Sequence, residues 1–151
     1  MLVSILLGSE SDRDHAKKIT DELDKFGAPH EVRVISAHKV PELCVEYVKE
    51  KNKMENVVYI TCAGRSNGLS GVISGSAIHP VIACPPFSDK ADYLANIHSS
   101  VLMPSDTPSM TVVDPKNAAL AAVKILALAD KKLRAKVEER ISAVKQSFRA
   151  A

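Results

Sequence analysis

The feature that most constrains this chain is an alternation of short apolar runs with segments of helical periodicity. The runs are Leu2–Leu7, Glu31–Ile35, Val57–Cys62, Val81–Cys84 and Thr111–Val113. Those of near-continuous apolar character, such as Leu2–Leu7 and Val57–Cys62, read as strands covered on both faces. Strands that alternate with helices pair in parallel through right-handed crossovers. The expectation is a three-layer α/β/α sandwich around a five-stranded sheet of order 2-1-3-4-5.

The helical segments carry their own start and stop signals. Ala16, Ile19, Leu23 and Phe26 form one stripe, closed by Gly27. Ser11 followed by Asp14 resembles a capping box at its start. Pro41 opens a second helix with Val40, Leu43, Cys44, Tyr47 and Val48 as its apolar face, and Lys49-Glu50-Lys51 ends it as a solvated turn. Short helices are expected at about 69–73 and 91–97, and a longer one from Pro115 through Ala119, Leu120, Val123, Leu126 and Leu128. The pattern is that of a flavodoxin-like domain over residues 1–130. A last amphipathic helix, residues 131–151, repeats Leu133, Val137, Ile141, Val144 and Phe148. Periodicity leaves open whether it covers its own domain or a neighbouring subunit.

Composition narrows the function classes. The 151 residues favour one domain, large enough to hide roughly 68–70% of the surface of its unfolded chain. Aromatics are 4% with no tryptophan, so the core is aliphatic. A formal charge of +2 and the lack of aromatic platforms argue against a nucleic-acid partner. No stretch approaches the roughly 18 apolar residues of a membrane span, and the N-terminus lacks a secretory pattern. Cys44, Cys62 and Cys84 are an odd count in apolar contexts and without metal-ligand spacing, so they read as small buried hydrophobes. A reducing cytoplasm fits best.

Three polar loops follow the first three strands: Gly8-Ser9-Glu10-Ser11-Asp12, Ser36-Ala37-His38-Lys39 and Ala63-Gly64-Arg65-Ser66-Asn67-Gly68. In a 2-1-3 order they are neighbours at the carboxyl edge, where open α/β sheets bind ligands. Ser9 and Ser11 offer hydroxyls at a helix start, which suits an anion, although for this loop taken alone plain helix capping is the simpler account. Asp12 would repel phosphate and suits sugar hydroxyls. Lys39 either neutralises a phosphate or is a solvated surface charge. His38 is the one histidine abutting a strand end beside another polar loop. It reads either as a proton-transfer group or as a hydrogen-bonded structural histidine. His15, His30, His79 and His98 read as surface or turn residues. The 63–68 loop exposes backbone amides to a flat ligand. It is neither a Walker loop nor a dinucleotide fingerprint, and the chain has no Gly-x-Ser-x-Gly elbow.

Five motifs then occur in order at suitable spacing: Gly8-Ser9-Glu10-Ser11-Asp12, Ser36-Ala37-His38-Lys39, Ala63-Gly64-Arg65-Ser66-Asn67, Ala83-Cys84-Pro85-Pro86 and Asn117-Ala118-Ala119-Leu120. Together they resemble the 5-aminoimidazole ribonucleotide (AIR) carboxylase family of purine biosynthesis, over about residues 2–130. The family contains N5-carboxyaminoimidazole ribonucleotide mutases and enzymes that carboxylate AIR directly with CO2. Lys39, Gly68, Arg65-Ser66-Asn67 and Cys84-Pro85-Pro86 resemble the direct, class II type. Mutases typically have arginine where Lys39 stands and histidine where Gly68 stands.

The resemblance implies that Ser9, Ser11 and Lys39 hold the 5′-phosphate and that Asp12 takes ribose hydroxyls. Ser36, Ala63, Gly64 and Ser66 would line the imidazole, with His38 as the acid/base. It implies an ATP- and biotin-independent carboxy-lyase acting on AIR and CO2, with no cofactor and no metal. It also implies a homo-octamer in which the C-terminal helix is an assembly arm. The chain departs from the family at Met103-Pro104-Ser105-Asp106, where the family has glycine in place of Asp106. The alternatives are the mutase activity and a non-catalytic nucleotide- or phosphate-binding module.

Overall fold

The computed structural model describes residues 1–149. Five parallel strands form one sheet of order 2-1-3-4-5: β1 (Leu2–Leu7), β2 (His30–Val34), β3 (Val57–Cys62), β4 (Val81–Ala83) and β5 (Met110–Thr111). β1 lies between β2 and β3, pairing Leu7 with Val34 on one side and with Cys62 on the other. The carboxyl ends of the three strands are thereby level. That places the three polar loops side by side, as the strand order predicts.

Helices cover both faces. On one, α1 (Arg13–Phe26) and α6 (Pro115–Leu126) press Ile19, Leu23, Ala119, Ala122 and Val123 against Val3, Ile5, Val58 and Ile82. On the other, α2 (Pro41–Lys51) and α3 (Gly68–Ser74) bring Cys44, Val48, Leu69 and Ile73 against Leu6, Val57, Tyr59 and Val81. All three cysteines are buried and free. No helix among the described residues is long and apolar enough to cross a membrane.

Several boundaries differ from the sequence expectation. The capping box lies two residues earlier than Ser11 and Asp14. Ser9 caps a 3-10 turn over Glu10–Asp12, and its own N–H donates to Asp12 Oδ2 at 3.0 Å. The chain turns straight after Gly8, and Ser9 takes up the first amides of the turn: Ser11 N–H donates to its Oγ at 3.3 Å and Asp12 N–H to its carbonyl at 3.1 Å. α1 ends at Gly27, which has φ +60° as expected of its terminator. α2 retains Lys49 and Lys51 in its last turn, where they complement the helix dipole. Val40 is its N-cap rather than part of its face. Beyond α4 (Lys90–Asn96) runs a further short helix, α5 (His98–Val101), that the sequence pattern does not announce. Leu128 is 89% exposed, since α6 stops two residues before it.

The last helix, α7 (Lys131–Arg149), buries only Leu133 and Val137 in the domain. Ile141, Val144 and Phe148 of the same stripe stand exposed. The final two residues of the expected 131–151 helix lie outside the described residues.

Candidate active site

A cavity of about 750 Å³ opens at the carboxyl edge of the sheet, within the usual size range of small-molecule sites. Its wall includes Ser9, Ser11 and Asp12 from the first loop, Ser36 and His38 from the second, and Ala63, Gly64 and Ser66 from the third. Eight of the nine residues picked out from the sequence thus share one space. The ninth, Lys39, is exposed and does not line it. The charged side chains that reach the wall are instead Asp14 and Lys18 of α1, Arg65 of the third loop and Asp92 of α4, together with His15. Lys18 and His15 lie six and three residues beyond Asp12. That is the spacing of one helix face, and it is the signal by which they could have been found.

The third loop is fixed from below by a polar network. Asn67 is 4% exposed. Its Oδ1 accepts from the Ser70 amide at 3.2 Å and the Ser70 hydroxyl at 2.9 Å, and its Nδ2 donates to Ser100 Oγ at 2.9 Å. Ser70 Oγ is also 2.7 Å from Thr61 Oγ1 of β3, so the loop is tied to the sheet. The Ser99 hydroxyl donates to the Arg65 carbonyl at 2.7 Å. Arg65 is held at φ +29°, in the sparsely populated region that a non-glycine residue occupies only when its surroundings impose it.

Two close approaches shape the wall. A Cβ on Gly64 would stand 2.9 Å from the Pro86 carbonyl oxygen, so only glycine lets the third loop lie against the segment after β4. A Cβ on Gly68 would stand 2.8 Å from His38 Nε2 and 3.0 Å from its Cε1. The imidazole of the second loop therefore rests on the bare backbone where α3 begins. Among the described residues the side chains of Ser36, His38 and Ser66 make no hydrogen bond within the protein, so their polar atoms are free for a ligand.

The titratable groups divide clearly. Burial raises the Asp12 carboxyl above its ordinary value, against the lowering effect of the Ser9 amide. Burial lowers the His15 imidazole, and the nearby Lys18 adds to this, while Cys84 and Asp114 oppose it. Burial pushes the Cys84 thiol up to about 12 and Cys62 well above the ordinary thiol value. Neither cysteine is a thiolate nucleophile, in keeping with their reading as small core residues. Chemically the cavity offers hydroxyl and amide donors in the first loop, a carboxylate beside them, and an unengaged imidazole facing a glycine-lined loop.

Comparison with known proteins gives the family of the chain. The AIR carboxylase family model matches residues 2–147. The chain is 49% identical over 137 residues to phosphoribosylaminoimidazole carboxylase of Archaeoglobus fulgidus, covering 91% of this chain and 75% of that one. It is 39% identical over 129 residues to N5-carboxyaminoimidazole ribonucleotide mutase of Aquifex aeolicus, covering 84% and 77%. The crystal structure of Treponema denticola PurE superposes with a TM-score of 0.90 at 44% identity, over 97% of this chain and 93% of that one. By sequence over nearly its whole length, and by fold, the chain belongs to the AIR carboxylase family.

Proposed function

We propose that the protein adds CO2 directly to C4 of AIR, giving 4-carboxy-5-aminoimidazole ribonucleotide in purine biosynthesis. The aminoimidazole is an enamine, so C4 is already nucleophilic and needs no activating cofactor. It attacks the carbon of CO2, forming the C–C bond and leaving C4 with both a hydrogen and a carboxylate. Loss of that proton to His38 returns the electron pair to the ring and restores aromaticity. Gly64 and Ser66 both line the cavity, and backbone amides near Gly64 with the Ser66 hydroxyl would stabilise the developing carboxylate. Ser9 and Ser11 would donate to the phosphate, and Lys39 would reach it from outside the cavity wall. Asp12 would accept from the ribose, and Ser36 and Ala63 would flank the imidazole.

The observation that carries this reading is the His38–Gly68 approach. A bare glycine gives His38 the place that a histidine at position 68, as in the mutases, would contest. The relative named a carboxylase is also more similar to this chain than the one named a mutase. In this reading the exposed Ile141, Val144 and Phe148 of α7 pack on a neighbouring copy in a homo-octamer, in which α7 is the assembly arm.

The deciding experiment supplies purified protein with AIR and a CO2/bicarbonate buffer, without ATP. The carboxylated product should form at a rate that rises with dissolved CO2. If only the N5-carboxylated ribonucleotide is turned over, the protein is a mutase. If AIR binds with no turnover of either substrate, the protein is a binding module.

A further inference from the structure

His15, in the first turn of α1, lines the cavity and has no role in the reading above. Its Nε2 lies 3.3 Å from Cys84 Sγ, at the end of β4. The Cys84 thiol lies 3.6 Å from the Val113 carbonyl and can donate its one hydrogen there. The sulfur is then an acceptor toward His15, and the His15 proton sits on Nε2. This leaves the lone pair on Nδ1 as the ring's remaining hydrogen-bonding site. Burial favours the neutral imidazole over the charged one, the form in which that lone pair is open.

Asp12 stands three residues earlier on the same helical face. One of its oxygens, Oδ2, is taken by the Ser9 amide, and Oδ1 has no partner among the described residues. The two side chains thus present one acceptor each, one turn apart. The cavity's other acceptors are less suited: Asp92 is engaged by Ser88 and Asn96, and Asp14 is exposed. Lys18, also on this wall, can only donate. Two neighbouring acceptors match a pair of vicinal hydroxyl donors.

Building on the ribonucleotide substrate argued above, we propose that His15 is a specificity residue. Its Nδ1 accepts one hydroxyl of the ribose diol while Asp12 Oδ1 accepts the other, and Cys84 positions the ring by fixing its tautomer. A site that matches a hydroxyl with a partly buried acceptor rejects the analogue lacking it, because the acceptor is left unpaired.

The test compares kcat/KM for AIR with that for its 2′-deoxy and 3′-deoxy counterparts. His15→Ala should reduce the preference for AIR over one of the two analogues by roughly tenfold, the worth of one such bond, and leave the other preference in place. His15→Asn, whose amide oxygen can stand at the Nδ1 position, should recover most of it. His15→Gln, whose amide reaches the Nε2 position, should not. In the unaltered protein, nitrogen NMR of the imidazole should show Nε2 protonated.

A merely structural role would lower all three kcat/KM values together, so unchanged ratios in His15→Ala overturn the assignment. Protonation at Nδ1 does so as well. Calorimetric titration of the unaltered protein with AIR separates this result from the reading beneath it. If AIR binds but the ratios do not move, only His15 is wrongly assigned. If AIR does not bind, the ribonucleotide site falls and His15 with it.

Discussion

His38 Nε2 lies 2.8 Å from the position that a Cβ on Gly68 would occupy. The nearest atoms belong to the end of a side chain that can swing, so Gly68→Ala displaces the imidazole rather than the backbone. Alanine at the first position of α3 is also a better helix former than glycine by roughly 1 kcal/mol. The variant should therefore melt no lower than the parent. A misplacement of about 1 Å at the reacting group costs on the order of 100-fold in rate. We expect kcat for AIR carboxylation to fall by about that factor with KM little changed. A lowered melting temperature with unchanged kcat would contradict it.

Removing the imidazole altogether tests its chemistry. His38→Asn keeps a polar side chain against Gly68 but removes the group that takes the C4 proton. Turnover should fall by about 100- to 10,000-fold, the usual worth of general acid–base catalysis. AIR affinity should be retained, because the first loop and Asp12 are untouched. Stopped-flow turnover and calorimetric binding on the same sample check both halves.

How far the sequence reached depends on the range of the forces involved. Strand order and the meeting of the three loops follow from local pattern, because parallel crossovers leave few topologies. The outer elements were less legible. β5 keeps only Met110 and Thr111, and α5 has the sequence His98-Ser99-Ser100-Val101, with no stripe to reveal it. Ser100 is buried there, with its hydroxyl satisfied by the Asn67 side chain from 33 residues away. His15 reads as a surface residue until Cys84, 69 residues away, is brought against it. Lys39 carries the opposite lesson. It abuts His38 in sequence, yet it is Lys18 that reaches the cavity wall. Adjacency in a loop does not fix which way a side chain faces.

The network under the third loop should be costly to break. Asn67→Ala leaves the Ser70 amide and the Ser100 hydroxyl without their buried partner. Each such loss costs about 1–3 kcal/mol. Two such losses come to about 2–6 kcal/mol, so a fall in melting temperature of about 4–24 °C is expected, at roughly 2–4 °C per kcal/mol for a domain of this size. The same change unties the 63–68 loop from Ser70 and Ser100, so the cavity wall loosens and KM for AIR should rise. Thermal melts and steady-state kinetics measure the two effects, and a variant with unaltered stability would refute the network's role.

Asp106 stands where the family has glycine, and its φ is +64°. Aspartate tolerates this left-handed conformation better than most residues but less well than glycine. Asp106→Gly should therefore stabilise the domain by about 1 kcal/mol, while Asp106→Ala should destabilise it, since alanine has the Cβ without the polar compensation. Urea unfolding of the three proteins should give midpoints in the order Gly, Asp, Ala.

The last prediction concerns acid. Glu31 of β2 accepts hydrogen bonds from Tyr47 and from Lys51 Nζ, the latter at 2.6 Å, and Tyr47 is tied in turn to Ser4 Oγ of β1 at 2.7 Å. Burial alone would raise the Glu31 carboxyl. The hydrogen bonds from Lys51 and Tyr47, with the charges of Lys51 and Arg33, outweigh it and hold the group below its usual 4.5. Between the folded and unfolded values the unfolded chain binds more protons, so stability rises with pH across that interval. The contribution of Glu31 is complete above the unfolded value and is lost as pH falls through the folded one. Glu31→Gln removes the titrating group and leaves Lys51 without its counter-charge. The variant should be less stable than the parent near neutrality, and the gap should close as pH drops below the ordinary glutamate value and through the lowered folded one. Because other lowered carboxylates such as Glu10 and Asp92 titrate in both proteins, the difference between the two melting curves isolates Glu31. A gap that stays constant across that range would mean that the pair contributes packing rather than charge.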